Sequence, residues 1–326
     1  MFDPSPHARV FALAPGVDFP RALVDGLRAR MAGQPPDAMA RVELIVNTTR
    51  MARRIRAVFD AGPATLLPRM RLLSDVSDPV ALARLPAPVP PLRRRLELIG
   101  LVSRLLDSQP DLAPRASLFD LADSLATLMD EMQDEGVSPE TVAGLDVSDE
   151  SGHWQRAQTF FNIVQHYFDG AGEAPDVNAF RRLALEQRLA EWDRQPPEHP
   201  VILAGSTGSR GGTNRLMRAV ARLPQGALVL PGFDFDTPDD VWTGLTDALS
   251  GEDHPQFRFG KLMNDLGLTP PDIAPWTDDI APAPERNKLV SLALRPAPVT
   301  DQWREEGPRL PDLAGALRKV TSLLAQ

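Results

Sequence analysis

Apolar positions along the chain fall into two kinds of pattern, short unbroken runs and helically spaced sets, and the two alternate. ARVFALAPG is an apolar run closed by Pro15 and Gly16; FPRALVDGLRARM follows it with Phe19, Leu23, Leu27 and Met31 at helical spacing. VELIVN is a second strand of the buried type. RMARRIRAVF, with Met51, Ile55 and Phe59 in register, is a second amphipathic helix, and LLPRMRLLSD predicts a short third strand. Unbroken apolar strands separated by amphipathic helices predict a parallel sheet covered by helices.

Beyond the Pro-rich connector LPAPVPP (85–91) the pattern becomes wholly helical as far as Trp192, with helices predicted over 92–107, 117–135, 153–169 and 176–193. Strand signals return in HPVILAGS (199–206). GSRGGTNRLMRAVARL then reads as a Gly-rich loop running into a helix, and GALVLPG (226–232) as a further strand. The remainder is rich in loops, with helices predicted near 255–267, 284–294 and 311–325. The expected organisation is an α/β domain begun by 1–90, interrupted by a helical insertion subdomain over 91–197, and continued by 198–326.

Composition narrows the chemistry. The 326 residues are 43% hydrophobic and 24% charged, enough for one large or two moderate cores. The chain has no Cys, which excludes disulfides, thiolate zinc sites, iron–sulfur ligation and a cysteine nucleophile within it. The five His (His7, His153, His166, His199, His254) lack metal-ligand spacing and are expected to be surface or packing residues. Neither a metal nor a cofactor is therefore expected. The longest apolar runs fall well short of the roughly 18 residues that span a bilayer, and MFDPSPHARV does not read as a signal peptide, so a cytoplasmic location without membrane partners is expected.

Charge is unevenly distributed. The net charge is −9, yet residues 41–104 carry a net +7 and residues 105–198 a net −13. The acidity belongs to the helical segment and masks a basic stretch, so it does not argue against a nucleic-acid partner. Only three of the 35 basic residues are Lys (Lys261, Lys288, Lys319), and the other 32 are Arg.

That scarcity bears on catalysis. A nucleotide loop after the first strand needs a Gly-Lys pair to hold phosphates. The turn here is APGVDFP (14–20) with no Lys before Lys261, and Asp18 reads as a helix N-cap with Pro20 in the first turn. Asp130-Glu131-Met132-Gln133-Asp134 matches a magnesium and water-activating helicase motif. The preceding apolar residues 118, 121, 122, 125, 128 and 129 have helix spacing, which predicts a solvated helix face instead of a strand end.

Two segments fit phosphate contacts. VNTTRMARRIR (46–56) is a strand end, a polar turn and an Arg-rich helix start. There Thr48, Thr49 and the helix amides fit a backbone phosphate, with Arg50, Arg53 and Arg54 adding charge; ordinary capping beside a solvated Arg face fits as well. GSTGSRGGT (205–213) allows close backbone approach and an anion nest including Arg210, or serves as a plain Gly-rich connection.

Taken together, FALAPGVDFPRALVDGL, VELIVNTTRMARRIRAVFDAG, LLPRMRLL, LADSLATLMDEMQDEGV, VILAGSTGSRGGTNRLMRAV, GALVLPGFD, HPQFRFGKLMNDLG and LVSLALRPAPVTDQW occur in an order that resembles the N-terminal part of the AddB family, in its alphaproteobacterial form. AddB is the partner of AddA in the bacterial ATP-dependent helicase–nuclease that processes double-strand breaks. The resemblance implies an α/β, RecA-like (P-loop NTPase-like) sheet, an inactivated superfamily 1 helicase domain with an inserted all-helical subdomain. Family members are longer, continuing into a second helicase-like domain and a nuclease, often with a Cys-held iron–sulfur cluster; this chain is then expected to be a fragment without cofactors.

The resemblance places Thr48, Thr49 and Arg50 where superfamily 1 helicases contact single-stranded DNA, with Asn47 replacing the usual aromatic. It places Ser206, Thr207, Gly208, Ser209 and Arg210 at the motif that joins ATP state to the strand, here without its acidic and Gln residues. It implies a non-catalytic module that guides or scans single-stranded DNA during end processing for homologous recombination. The implied partners are an AddA-type subunit and single- or double-stranded DNA ends. The alternative is a protein-interaction scaffold, with the acidic helical segment docking on the AddA-type subunit and no direct DNA contact.

Overall fold

The computed structural model describes residues 1–75, 83, 85–138, 140–141, 174–245, 251–296 and 299–310. The helices predicted over 153–169 and 311–325 lie outside them. Two compact units emerge. A sheet unit comprises Met1–Val76, Trp192–Ser209 and Thr213–Gln326, and a helical unit comprises Ser77–Glu191 with Arg210–Gly212.

The sheet unit begins β1 (Val10–Leu13), α1 (Phe19–Met31), a one-turn α2 (Ala38–Arg41), β2 (Glu43–Val46), α3 (Thr49–Asp60) and β3 (Arg69–Leu72). The helical unit supplies α4 (Pro91–Ser108) and α5 (Leu118–Glu135), and α6 (Val177–Arg194) leads back towards the sheet. There follow β4 (Val201–Ala204), α7 (Gly211–Arg222), β5 (Gly226–Pro231), α8 (Asp239–Gly244), α9 (Phe257–Leu266), β6 (Ala274–Pro275), α10 (Pro284–Ala293) and α11 (Gln302–Glu306).

The six strands form one all-parallel sheet in the order β3-β2-β4-β5-β1-β6, the α/β architecture expected and consistent with a RecA-like fold. The central strands ELIV and VILA are buried at every position, because helices cover both faces; β3 and the two-residue β6 form the edges and are more exposed. A parallel sheet has one functional consequence: every strand-to-helix loop opens at the same, carboxyl-terminal edge.

The core packs Leu23, Leu27, Ile55 and Phe59 of α1 and α3 against Leu44, Val46 and Ile202 of the sheet. Trp276, just past β6, is inserted beneath α1, and its indole N–H donates to the Leu23 carbonyl at 3.1 Å. The guanidinium of Arg30 lies 3.7 Å from the indole centroid and 4.8 Å from that of Phe11. One acid breaks the apolar pattern of the strands. Glu43, 2% exposed at the amino-terminal end of β2, is held by Arg71 at 3.4 Å and His199 at 3.2 Å.

In the helical unit Leu98, Val102 and Leu106 of α4 pack on Ala122, Leu125, Met129 and Met132 of α5, the spacings that helices dictate. The Asp130–Asp134 run lies on α5, as its periodicity predicts. Its face is less solvated than expected. Gln133 is buried and donates to Asp176 at 3.0 Å, while Arg94 pairs with Asp130 at 2.7 Å and Asp176 at 3.4 Å. The acids are drawn in by a mostly buried arginine of α4, a partner that one-dimensional periodicity cannot reveal.

Among the described residues, no helix is long and apolar enough to cross a membrane, and no cluster of His, Cys, Asp or Glu is arranged to hold a metal ion.

Candidate nucleic-acid interface

The end of β2 sets the first loop. Thr48 is extended (φ −142°, ψ 153°), and its Oγ1 accepts the Met51 N–H at 3.1 Å, capping α3. The cap leaves the backbone N–H groups of Thr49 and Arg50 without partners in the helix, at its partially positive end. The first turn of α3 contains no acid, and Arg50 sits within it. Thr49, Arg50, Arg53 and Arg54 are all exposed. Among the described residues Arg50 and Arg53 have no ion-pair partner, whereas Arg54 lies 3.3 Å from Asp18.

The second loop follows β4, the strand beside β2, with Val46 opposite Ala204. Asn47 Nδ2 donates to the Gly205 carbonyl at 2.7 Å and ties the two loops together. The position that the resemblance matches to a stacking aromatic thus carries a clamp. Gly205 has φ +78°, and a Cβ there would stand 3.3 Å from Phe19 and 3.5 Å from Met51, so glycine is needed for both conformation and fit. Ser206 is buried and accepts the Gly208 N–H at 3.2 Å; this curls the loop so that Thr207 and Ser209 face solvent while Gly208 turns inward.

The structure therefore brings Thr48, Thr49, Arg50, Arg53 and Arg54 to the same sheet edge as Ser206, Thr207, Gly208 and Ser209. Arg210 does not share that loop's unit. It belongs to the helical unit, where it is exposed and lies 3.9 Å from Asp134.

The third loop follows β1. Asp18 caps α1, its Oδ1 accepting the Arg21 N–H at 3.5 Å, and Pro20 stands in the first turn. A carboxylate thus occupies the amino end of α1, where an NTPase of this topology would hold phosphate. The turn is covered by the start of α10. Asn287 Nδ2 donates to the Pro15 carbonyl at 2.8 Å, and Arg286 Nη2 lies 3.6 Å from where a Cβ of Gly16 would be. Sequence reasoning missed Arg286, since nothing in the spacing of 284–294 connects that helix to a turn some 270 residues earlier.

The loop after β5 is different in character. Asp234 is buried and accepts the Asp236 N–H at 3.0 Å. Burial, then the neighbouring Asp234, pushes the Asp236 carboxyl above its ordinary value. Burial holds the His254 imidazole below its ordinary value, against the opposing pull of Asp234; His254 Nδ1 accepts the Gln256 N–H at 3.1 Å. Together with Glu43-bound His199, it serves packing and hydrogen bonding, as expected of these histidines.

Comparison of the chain with protein-family models and with curated proteins finds no match.

Proposed function

We propose that the sheet unit is a non-catalytic single-strand DNA-binding module of the kind the AddB resemblance implies, holding one strand while an ATP-driven partner of AddA type moves it. The observation that carries this reading is the pairing of the 47–54 and 205–209 loops at one sheet edge. Unpaired Arg50 and Arg53 stand there beside the free amides that open α3. A cation in the first turn of a helix faces the positive end of its dipole and costs about 0.3–1 kcal/mol. The fold bears that cost with no acid to offset it, an arrangement that suits an arriving phosphate. The Asp18 cap and the missing Lys support a module that does not hydrolyse nucleotides.

The test is fluorescence anisotropy with a labelled oligothymidylate across 50–200 mM salt. With three or four phosphates engaged, the slope of log K against log salt should be about −2 to −3, at roughly 0.7 per contact on a single strand. Arg50→Glu with Arg53→Glu should weaken binding at least about tenfold, the equivalent of 1.4 kcal/mol. Failure to bind at 50 mM salt, or equal binding by the doubly reversed variant, would overturn the proposal.

A further inference from the structure

We propose that Arg286 is a further phosphate contact for the same single strand, extending its path from α3 across the β1 turn to the start of α10; this inference rests on the strand-binding reading above. Three observations on the page lead to it. Arg286 is exposed and, among the described residues, has no ion-pair partner, although Glu285 beside it pairs with Lys288 at 3.6 Å. Its guanidinium is held over a backbone feature instead of roaming. The neighbouring Asn287 is anchored to the Pro15 carbonyl, and the absent side chain of Gly16, at φ +85°, leaves the room into which Nη2 reaches. Finally, Arg286 stands in the first turn of α10, at the positive end of that helix, so its charge does not stabilise the fold there.

Geometry links this cation to the others. Asp18 touches Arg54 at 3.3 Å, and Asp18 is two residues from Gly16, at most about 7 Å along the backbone. The route therefore runs from Arg50 and Arg53 past the Asp18–Arg54 pair to Arg286, along α1 and α3 and without crossing the acids that follow β5. Its length beyond Arg54 matches about three or four nucleotides at 3.4 Å per residue of a stacked strand. In an NTPase the β1 turn would be filled by nucleotide phosphates. In this chain the α1 end is already capped by Asp18, and the cation above the turn is left facing solvent.

The experiment compares wild type, Arg286→Ala, Arg286→Lys and the Arg50→Glu/Arg53→Glu variant as full chains, with thermal melting as a control on folding. Oligothymidylates of about 4 and 12 nucleotides serve as probes. The expected result on the longer probe is a salt slope shallower by about 0.7 and several-fold weaker binding for Arg286→Ala, substantially restored by Arg286→Lys, with little change on the shorter probe. Unchanged slope and affinity for Arg286→Ala, while the α3 variant loses binding, would overturn the Arg286 contact and leave the strand-binding reading standing. Equal losses for Arg286→Ala and Arg286→Lys with a lowered melting temperature would assign Arg286 a structural role and also overturn it. Polyglutamate competing as well as oligothymidylate would overturn the assignment to a nucleic-acid strand. Absence of binding by wild type would bring down both proposals.

Discussion

Replacing Gly26 by Ala sets two effects of opposite sign against each other. In a helix interior the substitution gains about 1 kcal/mol from lower backbone entropy in the unfolded chain. Gly26 is where α1 meets Trp276, however, and an added Cβ would stand 2.2 Å from the indole Nε1 and 2.6 Å from Cδ1. The indole has little freedom to retreat, being 2% exposed, bonded to the Leu23 carbonyl and stacked under Arg30. Overpacking of this kind costs about 1–3 kcal/mol or more, and displacing the indole forfeits about 1 kcal/mol of hydrogen bonding. The steric side wins, leaving Gly26→Ala destabilised by about 2–3 kcal/mol. At about 2–4 °C per kcal/mol for domains of 150–250 residues, the melting transition of the sheet unit should fall by roughly 5–10 °C. Circular dichroism melts measure this, and adding Trp276→Phe should recover part of the loss. A Gly26→Ala protein as stable as wild type, or more so, would refute the wedge and leave propensity in command.

Two further outcomes follow from the same geometry. Asp18→Asn keeps a competent N-cap, so stability should move by less than about 1 kcal/mol. It releases Arg54 from its carboxylate partner, so oligothymidylate binding at 50 mM salt should tighten several-fold; weaker binding in anisotropy would contradict the role given to Arg54. His254 is kept below its ordinary pKa of 6.5 chiefly by burial, with Arg295 adding to the effect and Asp234 and a bond to the Leu294 carbonyl opposing it. Its folded-state pKa is the lower one, so the unfolded chain takes up the proton first, and stability present above about pH 6.5 is lost as the pH falls through that region. Urea midpoints at pH 7.5 and 5.5 should show this loss in wild type and a smaller one in His254→Gln; equal losses would count against the assignment.

Much of the fold was legible because burial on both faces leaves a plain trace. VFAL, ELIV, VILA and ALVL are strands for the reason they look like strands, and the amphipathic spacing of α1, α3, α4 and α5 translates directly into the faces they bury. What escaped is either short or distant. The helices α2, α8 and α11 have only four to six residues, too few for a 3.6-residue period to register, and β6 is a two-residue strand ending in Pro275. At the site, residue types at 46–56 and 205–213 left capping and phosphate binding equally open. The structure assigns Thr48 to capping, and the register of β2 with β4, which no local pattern encodes, brings the two loops together. The same limit hid the Arg94–Asp130–Asp176 cluster and the approach of Arg286 to Gly16.

The parallel sheet also dictates how the helical unit can be removed. The chain leaves the sheet at the carboxyl end of β3 and re-enters at the amino end of β4, with β2 lying between them. The intervening segment thus occupies the place of an ordinary crossover, enlarged until it became a unit with its own core. Leu72 and Val201 stand at opposite edges of the sheet, and a direct join would force β4 to reverse. A shortened protein must keep a linker of about a dozen residues, the least that a parallel connection requires. The excursion is thus a grown connection that the topology obliges the chain to make, whatever its length.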